Sequence, residues 1–459
     1  MLKYLSMSEV KNNQQNKTIL KQSSELIRKA RGVLDHNDLG DYIVPSRGLY
    51  PHQVLWDSCF VAIGLSHHDL KKAKLQIKRL LSAQWQNGMI PHIVFSEGSK
   101  YWWDRRIWRS WINSKSPKGV ATSGVSQPPM LAEAVVRIGR KLPLDERKVW
   151  YKSVYSQLVS YHEWFYNERD PDDNGLIVQV HPWEIGLDNS PPSMIEVRDK
   201  SLPLWIRFLE VTRLDQIGNY FRVDTKYVPN GQRSSNIESL ALYNLLVKIR
   251  RRKYESDKIL KKSTFAISDV TYNSILIRAN TLLGEIAETI NEKIPQQLTA
   301  KFNQSIESFE RFWNEDDKQF FCIQYRTKKQ IKTPSIATFL PLYSGAITQS
   351  RAEELVGLMT NKTSYGLEFP IPTVPKNSHW FTPMCYWQGP MWVNTNWLII
   401  DGLRRYGFNE QADLLKKSTL RVVEESGFYE YFDPLNGKPS GVNNFSWTAA
   451  LVLDLELDK

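Results

Sequence analysis

The sequence has few cysteines and no long hydrophobic stretch. Its 459 residues include only Cys59, Cys322 and Cys385, whose wide spacing fits neither a disulfide framework nor a zinc site. Because no apolar run reaches the roughly 18 residues of a transmembrane helix, no membrane-spanning segment is predicted. Residues 1–17 lack the apolar centre of a signal peptide, so we interpret them as a flexible leader and expect a cytoplasmic protein.

The usual motifs of cofactor and nucleotide sites are also missing. The chain has no glycine-rich phosphate loop and no regular alternation of strands and helices. Residues 169–175 superficially resemble a calcium-binding loop, but the ligand spacing and the closing glutamate are wrong. The histidines His52, His92 and His181 are scattered, and no Ser-His-Asp order stands out. We therefore predict neither a metal nor a cofactor.

Positive charge exceeds negative charge, with a formal net charge of +11 and a pI of about 9.2. A basic surface can attract nucleic acid, but the basic residues of this chain are dispersed. The densest runs, at residues 248–253 and 258–262, lie on one polar segment. We interpret them as a solvated face and predict no nucleic-acid partner, with a polyanion-binding protein as the alternative.

Aromatic residues, in contrast, are abundant, and 16 of them are tryptophans. Tryptophan beyond the needs of a core is typical of carbohydrate clefts, because the indole face covers the apolar C–H face of a sugar ring. The stretch from His181 to Pro191 places Trp183, Glu184 and Asp188 close together. This stretch predicts a sugar-binding loop, and a structural turn around a packed tryptophan is the alternative.

Apolar residues recur at helical spacing along most of the chain, which predicts about a dozen helices. Pairs of helices would form an inner and an outer ring, with aromatic and polar loops at one mouth. We therefore predict an all-α fold, a closed helical toroid, with residues 18–459 as one domain. The predicted helices are 18–36, 56–65, 70–84, one through Glu133 to Ile138, 146–168, 265–290, 299–313, 348–360, 393–406, 409–424 and 447–457.

Three segments do not follow this pattern. Residues 203–262 mix helical runs with a turn and receive no assignment. A short strand-like pair is predicted around Phe320 to Tyr325, joined through Lys328-Lys329 to Ile331. Pro182 and Gly186 argue against a helix through the 181–191 stretch, because proline lacks an amide donor and clashes with the preceding turn.

The loops contain carboxylates suited to glycoside hydrolysis. This reaction needs one protonated carboxyl for the leaving oxygen and one ionised carboxylate to activate water or attack carbon. Asp188, near Trp183, suits the acid because aromatic surroundings disfavour its charged form, and Glu430 between two tyrosines suits the base. Each could instead cap a helix or anchor a loop. The candidates are Asp57, Asp104, Glu184, Asp188, Glu368, Glu430 and Asp433.

Several motifs, in order, carry a resemblance to a known family over about residues 50–457. The chain resembles glycoside hydrolase family 63, an inverting α-glucosidase and α-mannosidase family, and within it the short mannosylglycerate and glucosylglycerate hydrolases. The motifs are Tyr50–Asp57, Gln86–His92, Gln127–Pro129, His181–Pro191, Tyr386–Trp392, Glu430–Pro434 with Gly437, and Phe445–Ala450.

The resemblance implies an (α/α)6 barrel with the active site at one mouth and inversion of the anomeric centre of a small carbohydrate substrate. Asp188 stands where the family has its general acid, and Glu430 where it has its general base. The positions that the resemblance implies for substrate binding are Tyr50, Trp56, Asp57, His92, Trp102, Gln127, Trp183, Glu184, Arg233, Tyr386, Trp387, Gln388, Gly389, Trp392 and Asn444.

The chain departs from this family where the leaving group binds. The glycerate hydrolases hold the glycerate carboxylate with an Arg followed by a Tyr, and these positions read Arg233 and Ser239 here. Gln388 replaces the arginine of the family's Trp-Arg-Gly-Pro, and Asn444 replaces a glutamine. Two leaving groups therefore stay open: glycerate, or a neutral sugar as in a short α-gluco-oligosaccharide. A non-catalytic sugar-binding protein is the alternative of another class.

Overall fold

The computed structural model describes residues 24–220 and 222–458, and helices make up most of them. The predicted leader at residues 1–17 lies outside the described residues, so the division of the chain into a leader and one domain stays a prediction. The first helix, α1, covers residues 24–36. The others are α2 (Leu55–Leu65), α3 (Leu70–Ser82), α4 (Trp102–Trp108), α5 (Leu131–Arg140), α6 (Leu144–Lys152), α7 (Tyr155–Arg169), α8 (Pro182–Ile185), α9 (Pro191–Met194), α10 (Leu204–Val211), α11 (Asn236–Arg251), α12 (Ser256–Lys262), α13 (Val270–Ile290), α14 (Gln296–Ser308), α15 (Pro341–Ser344), α16 (Gln349–Thr360), α17 (Val393–Arg405), α18 (Asn409–Ser426) and α19 (Ser446–Leu457).

The strands are two residues long and pair antiparallel in four separate two-stranded sheets. Their pairings are β1 (Gln53–Val54) with β2 (Ile93–Val94), β3 (Ile267–Ser268) with β6 (Ile323–Gln324), β4 (Trp313–Asn314) with β5 (Gln319–Phe320), and β7 (Tyr431–Phe432) with β8 (Pro439–Ser440).

Among the described residues, six helices form an inner ring, which confirms the predicted helical toroid. In order around the ring, α2 contacts α5, α5 contacts α13, α13 contacts α15, α15 contacts α17, α17 contacts α19, and α19 returns to α2. Helices α3, α6, α7, α14 and α18 pack on these from outside. All residues of α2 are buried, as expected for a helix enclosed by neighbours, whereas α3 buries one stripe.

The amino-terminal ends of the inner helices gather the site residues. Trp56 and Asp57 lie in the first turn of α2, Gln127 shortly precedes α5, Trp392 is the N-cap residue of α17, and Phe445 is that of α19. Because these residues line one pocket, the four helix starts meet at one mouth of the ring.

Some predicted boundaries were wrong for local reasons. The predicted helix 146–168 is two helices, α6 and α7, separated at residues 153–154. Helix α13 starts at Val270 rather than at Phe265, because the Asp269 carboxylate accepts a hydrogen bond from the Tyr272 amide and caps it. The strand-like pair is present: Ile323 and Gln330 form an antiparallel bridge across the Lys328–Lys329 turn, and the Ile331 amide donates to the Cys322 carbonyl. Residues of the first segment also pair elsewhere, β5 with β4 and β6 with β3.

No helix runs through the 181–191 stretch, as Pro182 and Gly186 predicted, but a short helical turn forms near its start. Residues Pro182–Ile185 form one helical turn, with Pro182 in the first position, where a missing amide hydrogen removes no helical bond. Gly186 ends this turn in the left-handed conformation, at φ 78°. No helix in the described part of the chain is long and apolar enough to cross a membrane.

Candidate active site

A pocket of about 350 Å³ opens at the mouth where the inner helices begin. Twelve of the sequence-predicted site residues line it, although they come from distant parts of the chain. They are Tyr50, Trp56, Asp57, His92, Gln127, Trp183, Asp188, Arg233, Tyr386, Trp387, Trp392 and Glu430.

Tryptophans form much of the pocket wall. Trp387 and Trp392 stack in parallel with ring centroids 3.8 Å apart, and Trp56 lies 6.3 Å from Trp387. The acid-bearing loop lies against the Trp56 ring at Gly186, where an added Cβ would stand 2.8 Å from a ring carbon. A larger residue than glycine at this position would therefore push the loop away from the ring.

Asp188 follows this turn and lies half-buried in the pocket. Its Oδ2 accepts a hydrogen bond from the Tyr386 hydroxyl at 2.8 Å. Burial raises the pKa of Asp188 to about 6, while the Tyr386 hydrogen bond and the charge of Arg233 oppose this rise. The carboxyl can therefore be protonated at mildly acidic pH, as a general acid requires.

Glu430 immediately precedes β7 and is buried. Its Oε1 accepts from the Tyr50 hydroxyl at 3.1 Å, and its Oε2 accepts from Arg233 Nη2 at 2.8 Å and from the Val442 amide at 3.2 Å. Burial raises the pKa of Glu430, and Arg233, Val442 and Tyr50 oppose this rise. These donors favour the ionised form and fix the orientation of the carboxylate.

Arg233 lies between the two tyrosines that contact the catalytic candidates. Its guanidinium carbon is 4.5 Å from the centre of the Tyr386 ring and 5.4 Å from that of Tyr50. Because the hydroxyl of Tyr386 binds Asp188 and that of Tyr50 binds Glu430, one cation and two tyrosines connect the two carboxyl groups.

Asp57 and three ring nitrogens complete the inner part of the pocket. Burial raises the pKa of Asp57 well above its usual range. His92 Nδ1, Trp387 Nε1 and Trp447 Nε1 are buried and have no hydrogen-bond partner among the described residues. Burial also lowers the pKa of His92 to about 3, so its ring is neutral. The pocket wall therefore holds polar groups whose hydrogen-bonding capacity the protein itself does not use.

Five predicted site residues do not line the pocket. Trp102 is 53% exposed, and its ring packs against the outward-facing Arg106. The backbone oxygen of Asn444 accepts a hydrogen bond from Asn37, and the residue itself is exposed. Trp102 is therefore not a wall of this pocket, and Asn444, a predicted substrate-binding position, does not line it.

The other three predicted site residues, Glu184, Gln388 and Gly389, stabilise loops behind the pocket. Glu184 is buried against Arg169 at 2.8 Å and the Val180 amide at 2.7 Å, so it anchors the acid-bearing loop instead of facing a sugar. Gln388 donates to the Asn189 carbonyl at 2.9 Å and to Glu238 at 3.0 Å. The Gly389 amide donates to the Thr373 hydroxyl. Gly389 has a φ of 158°, and a Cβ at this position would collide with the Thr382 carbonyl, so a side chain is excluded.

The remaining candidate carboxylates also lie away from the pocket lining. Asp104 pairs with His52 at 3.2 Å, and Glu368 pairs with Arg421 on the surface at 2.6 Å. Asp433 accepts a hydrogen bond from the Leu435 amide in the turn that follows β7.

Several lining residues were not predicted, including Trp108, Arg222, Asp224, Ser234 and Trp447. Trp447 belongs to the Phe445–Ala450 motif and could have been identified from it. Arg222 binds Asp224 with two nitrogens, at 3.0 and 2.5 Å, in the segment that received no assignment, and the sequence gives no indication of this pair.

One cluster in the described residues has the composition of a cation site. His67, Asp454 and Asp458 bring their ligand atoms within 4.8 Å of one another. Asp458, however, already accepts from Arg137 at 2.8 Å and from Lys141 at 2.9 Å. These side-chain cations occupy the cluster, which does not belong to the pocket lining.

Comparison with known proteins gives matches over nearly the whole chain. Residues 50–448 match the family model described as a Mannosylglycerate hydrolase MGH1-like glycoside hydrolase domain. The mannosylglycerate hydrolase of Rubrobacter radiotolerans is 33% identical over 442 residues, which cover 95% of this chain and 97% of that protein. The glucosylglycerate hydrolase of Mycolicibacterium hassiacum is 32% identical over 451 residues, covering 94% and 97%.

A solved structure agrees with these matches. The crystal structure of a family 63 mannosylglycerate hydrolase from Thermus thermophilus, in complex with Tris and D-glycerate, superimposes with a TM-score of 0.83 at 34% identity. The superposition covers 93% of this chain and 99% of that one.

Proposed function

Because the chain belongs to glycoside hydrolase family 63, we propose that it hydrolyses the α-glycosidic bond of mannosylglycerate or glucosylglycerate with inversion of the anomeric carbon. The protein is a glycoside hydrolase, and its substrate is a small glycoside. The observation that carries the finer proposal is the pair of carboxyl groups, Asp188 and Glu430, in one tryptophan-lined pocket.

Asp188 acts as the general acid. Its carboxyl donates a proton to the glycosidic oxygen while the bond to the anomeric carbon breaks, so the leaving group departs as a neutral hydroxyl. The raised pKa of Asp188, about 6, supports this role because it keeps part of the carboxyl protonated near neutral pH.

Glu430 acts as the general base. It removes a proton from a water molecule that attacks the anomeric carbon from the face opposite the leaving group. Inversion requires roughly 6.5–9.5 Å between the two carboxyl groups, because the water must fit between the base and the sugar. The donors around Glu430 support this role, since they stabilise the ionised carboxylate that the reaction consumes and regenerates.

The remaining contacts divide the pocket into a sugar end and a leaving-group end. Trp56 and Trp387 line the sugar end, with Trp392 stacked behind Trp387, and the unpartnered nitrogens of His92 and Trp387 can hydrogen-bond sugar hydroxyls. Arg233 is the contact for the glycerate carboxylate, which a guanidinium binds with two hydrogen bonds.

The direct test is release of free sugar from mannosylglycerate, glucosylglycerate, kojibiose, nigerose, trehalose and maltotriose, with Asp188→Asn as the blank. We expect the glycerate glycosides to be cleaved, and proton NMR to detect the β-anomer of the sugar first. First appearance of the α-anomer would contradict inversion, and no release above the blank would contradict hydrolysis.

A neutral leaving group is the second candidate. It is favoured by two observations: Arg233 is already paired with Glu430, and Ser239 lines the pocket where the family has a tyrosine. Cleavage of only the neutral disaccharides in the same panel would select this candidate over glycerate.

Replacing Tyr386 with Phe tests the environment of the acid. The rate falls as pH rises through the pKa of Asp188, because the acid must be protonated. The Tyr386 hydrogen bond lowers this pKa, so its loss should move the basic limb of kcat/KM to higher pH, by about one pH unit. Tyr365→Phe, which removes a buried hydroxyl bonded to Ser335 outside the pocket, is the control. An unmoved basic limb in Tyr386→Phe would exclude Asp188 as its origin.

We also propose a cytoplasmic location. All three cysteines are free thiols, and their persistence suits a reducing compartment.

A further inference from the structure

Arg233 is held in a fixed position beside the proposed base. It stands two residues before Ser235, which caps α11 through a reciprocal pair of hydrogen bonds with Glu238. Its side chain is 9% exposed and lies among the rings of Tyr50, Tyr386 and Tyr431. A cation so enclosed keeps one orientation, because its surroundings leave little room for other rotamers.

The guanidinium uses only part of its hydrogen-bonding capacity on Glu430. Its Nη2 donates to Glu430 Oε2 at 2.8 Å, whereas its Nε is buried without a partner among the described residues. A guanidinium carries five N–H groups in a rigid plane, so it can hold two carboxylates at once along different edges. Arg233 also lines the pocket, so its N–H groups that do not bond Glu430 can meet a second acceptor there.

We propose that Arg233 is a positioning residue for the base as well as the contact for the leaving group. Its guanidinium keeps Glu430 ionised through one set of N–H groups and binds an anionic leaving group through the others. The charge of the leaving group then changes the pKa of Glu430 through Arg233. This inference rests on the proposed function, because it assigns the base role to Glu430. It adds that the leaving group influences the base through a shared cation.

The charges around Glu430 explain why Arg233 carries this effect. The titratable groups that interact with Glu430 are Tyr50, Asp57, Asp188, Arg233, Tyr386 and Tyr431. Arg233 is the cation in this set, and its charge opposes the rise that burial causes in the pKa of Glu430. The neighbouring Arg222 is already neutralised by Asp224.

A carboxylate bound at the free edge of Arg233 would share its positive charge with Glu430. The base would then be held ionised less strongly, and its affinity for a proton would rise. An uncharged leaving group would have no such effect. The acid limb of the rate, where the base becomes protonated, should therefore lie at higher pH for bound glycerate glycosides than for neutral glycosides.

The experiment compares wild type, Arg233→Gln and Arg233→Lys on two substrates that differ in one group, a glycosylglycerate and the corresponding glycosylglycerol. On the glycerol substrate, Arg233→Gln should move the acid limb of kcat/KM to higher pH. The loss of kcat/KM relative to wild type should therefore be roughly tenfold larger at pH 5 than at pH 7. Arg233→Lys keeps the charge and should recover most of this loss. If Arg233 only contacts glycerate, the glycerol profile will be the same in all three proteins, and the proposal is wrong.

A second measurement does not depend on turnover. Infrared difference spectroscopy follows protonation of Glu430, with Glu430→Gln identifying its band. The pH at which Glu430 is half protonated should be higher in Arg233→Gln than in wild type. Added D-glycerate should raise this pH in wild type but not in Arg233→Gln. Equal midpoints in the two proteins would overturn the inference even if hydrolysis is found. A shifted midpoint without hydrolysis would support the positioning role of Arg233 and overturn the proposed function.

Discussion

Asp188→Asn should lower kcat on glycerate glycosides by roughly 10²–10⁴-fold while the protein remains folded. The amide has nearly the shape of the carboxyl and can still meet the Tyr386 hydroxyl, which donates to Asp188 at 2.8 Å in the native protein. It cannot transfer a proton to the glycosidic oxygen. The leaving group must then depart as an alkoxide, which is the costly step that the general acid avoids.

Glu430→Gln should lower kcat by a similar factor, but because activation of water is lost. A substrate with a better leaving group distinguishes the two variants. A dinitrophenyl α-glycoside needs little protonation of its departing oxygen, so Asp188→Asn should recover much of its rate on this substrate. Glu430→Gln should stay impaired, because activation of water is still required. Equal recovery of both variants would contradict the assignment of acid and base.

Asp433→Asn is the matched control for both variants. Asp433 is a buried carboxylate three positions after Glu430, but its oxygens accept from the Leu435 amide and from the Asn436 side chain, and it does not line the pocket. We expect its kcat within about threefold of wild type, since the amide oxygen still accepts from Leu435 and the side-chain amide of Asn436 can turn its oxygen toward the new NH₂ group. A loss as large as that of Glu430→Gln would mean that damage to this loop, and not loss of the base, reduces turnover.

The fold was predictable from the sequence because the outer helices have clear periodicity. In α3, the buried positions Ala73, Gln76, Ile77, Leu80 and Leu81 follow one face, and the helix was found with its boundary within two residues. The inner helix α2 is buried on all sides, so its sequence has a weaker periodicity than that of an outer helix. The order of neighbours around the ring depends on contacts between distant segments, and no local pattern encodes it.

The catalytic candidates were predictable because each lies within a dense local motif. A motif alone, however, does not show which of its side chains faces the pocket. Glu184 and Asp188 are both carboxylates of the 181–191 stretch, but the short α8 turn directs Glu184 inward to Arg169 and leaves Asp188 facing the pocket. The sequence rules did not anticipate this helical turn, so the two carboxylates could not be distinguished from the sequence.

The connection between Arg233 and Glu430 is another feature beyond local patterns. These residues are 197 positions apart, and their ion pair exists only because the segment before α11 reaches the strand end that carries Glu430. The resemblance suggested Arg233 for the leaving group. Its contact with the base is visible only in three dimensions.

Glu184→Gln should destabilise the protein by roughly 3–5 kcal/mol, because it breaks a buried ion pair and leaves Arg169 uncompensated. The side chains of Arg169 and Glu184 are 4% and 2% exposed, and the two oxygens of Glu184 serve two donors, Arg169 Nη2 and the Val180 amide. The amide of glutamine can accept from only one of them with its oxygen, and its NH₂ group then faces the other. The loop that carries Trp183 and Asp188 should loosen, with a secondary loss of activity.

Thermal unfolding measures this effect against a surface pair of the same chemistry. With about 2.1 cal/mol/K of unfolding entropy per residue, 1 kcal/mol shifts the midpoint of a 459-residue chain by about 1 °C, so Glu184→Gln should unfold about 3–5 °C earlier. Glu285→Gln breaks the Arg140–Glu285 pair, whose side chains are 44% and 38% exposed, and should shift the midpoint by no more than about 1 °C. If Glu184→Gln instead keeps the native midpoint and raises KM, Glu184 binds substrate, because a residue that only anchors the loop cannot lose its ion pair without lowering stability.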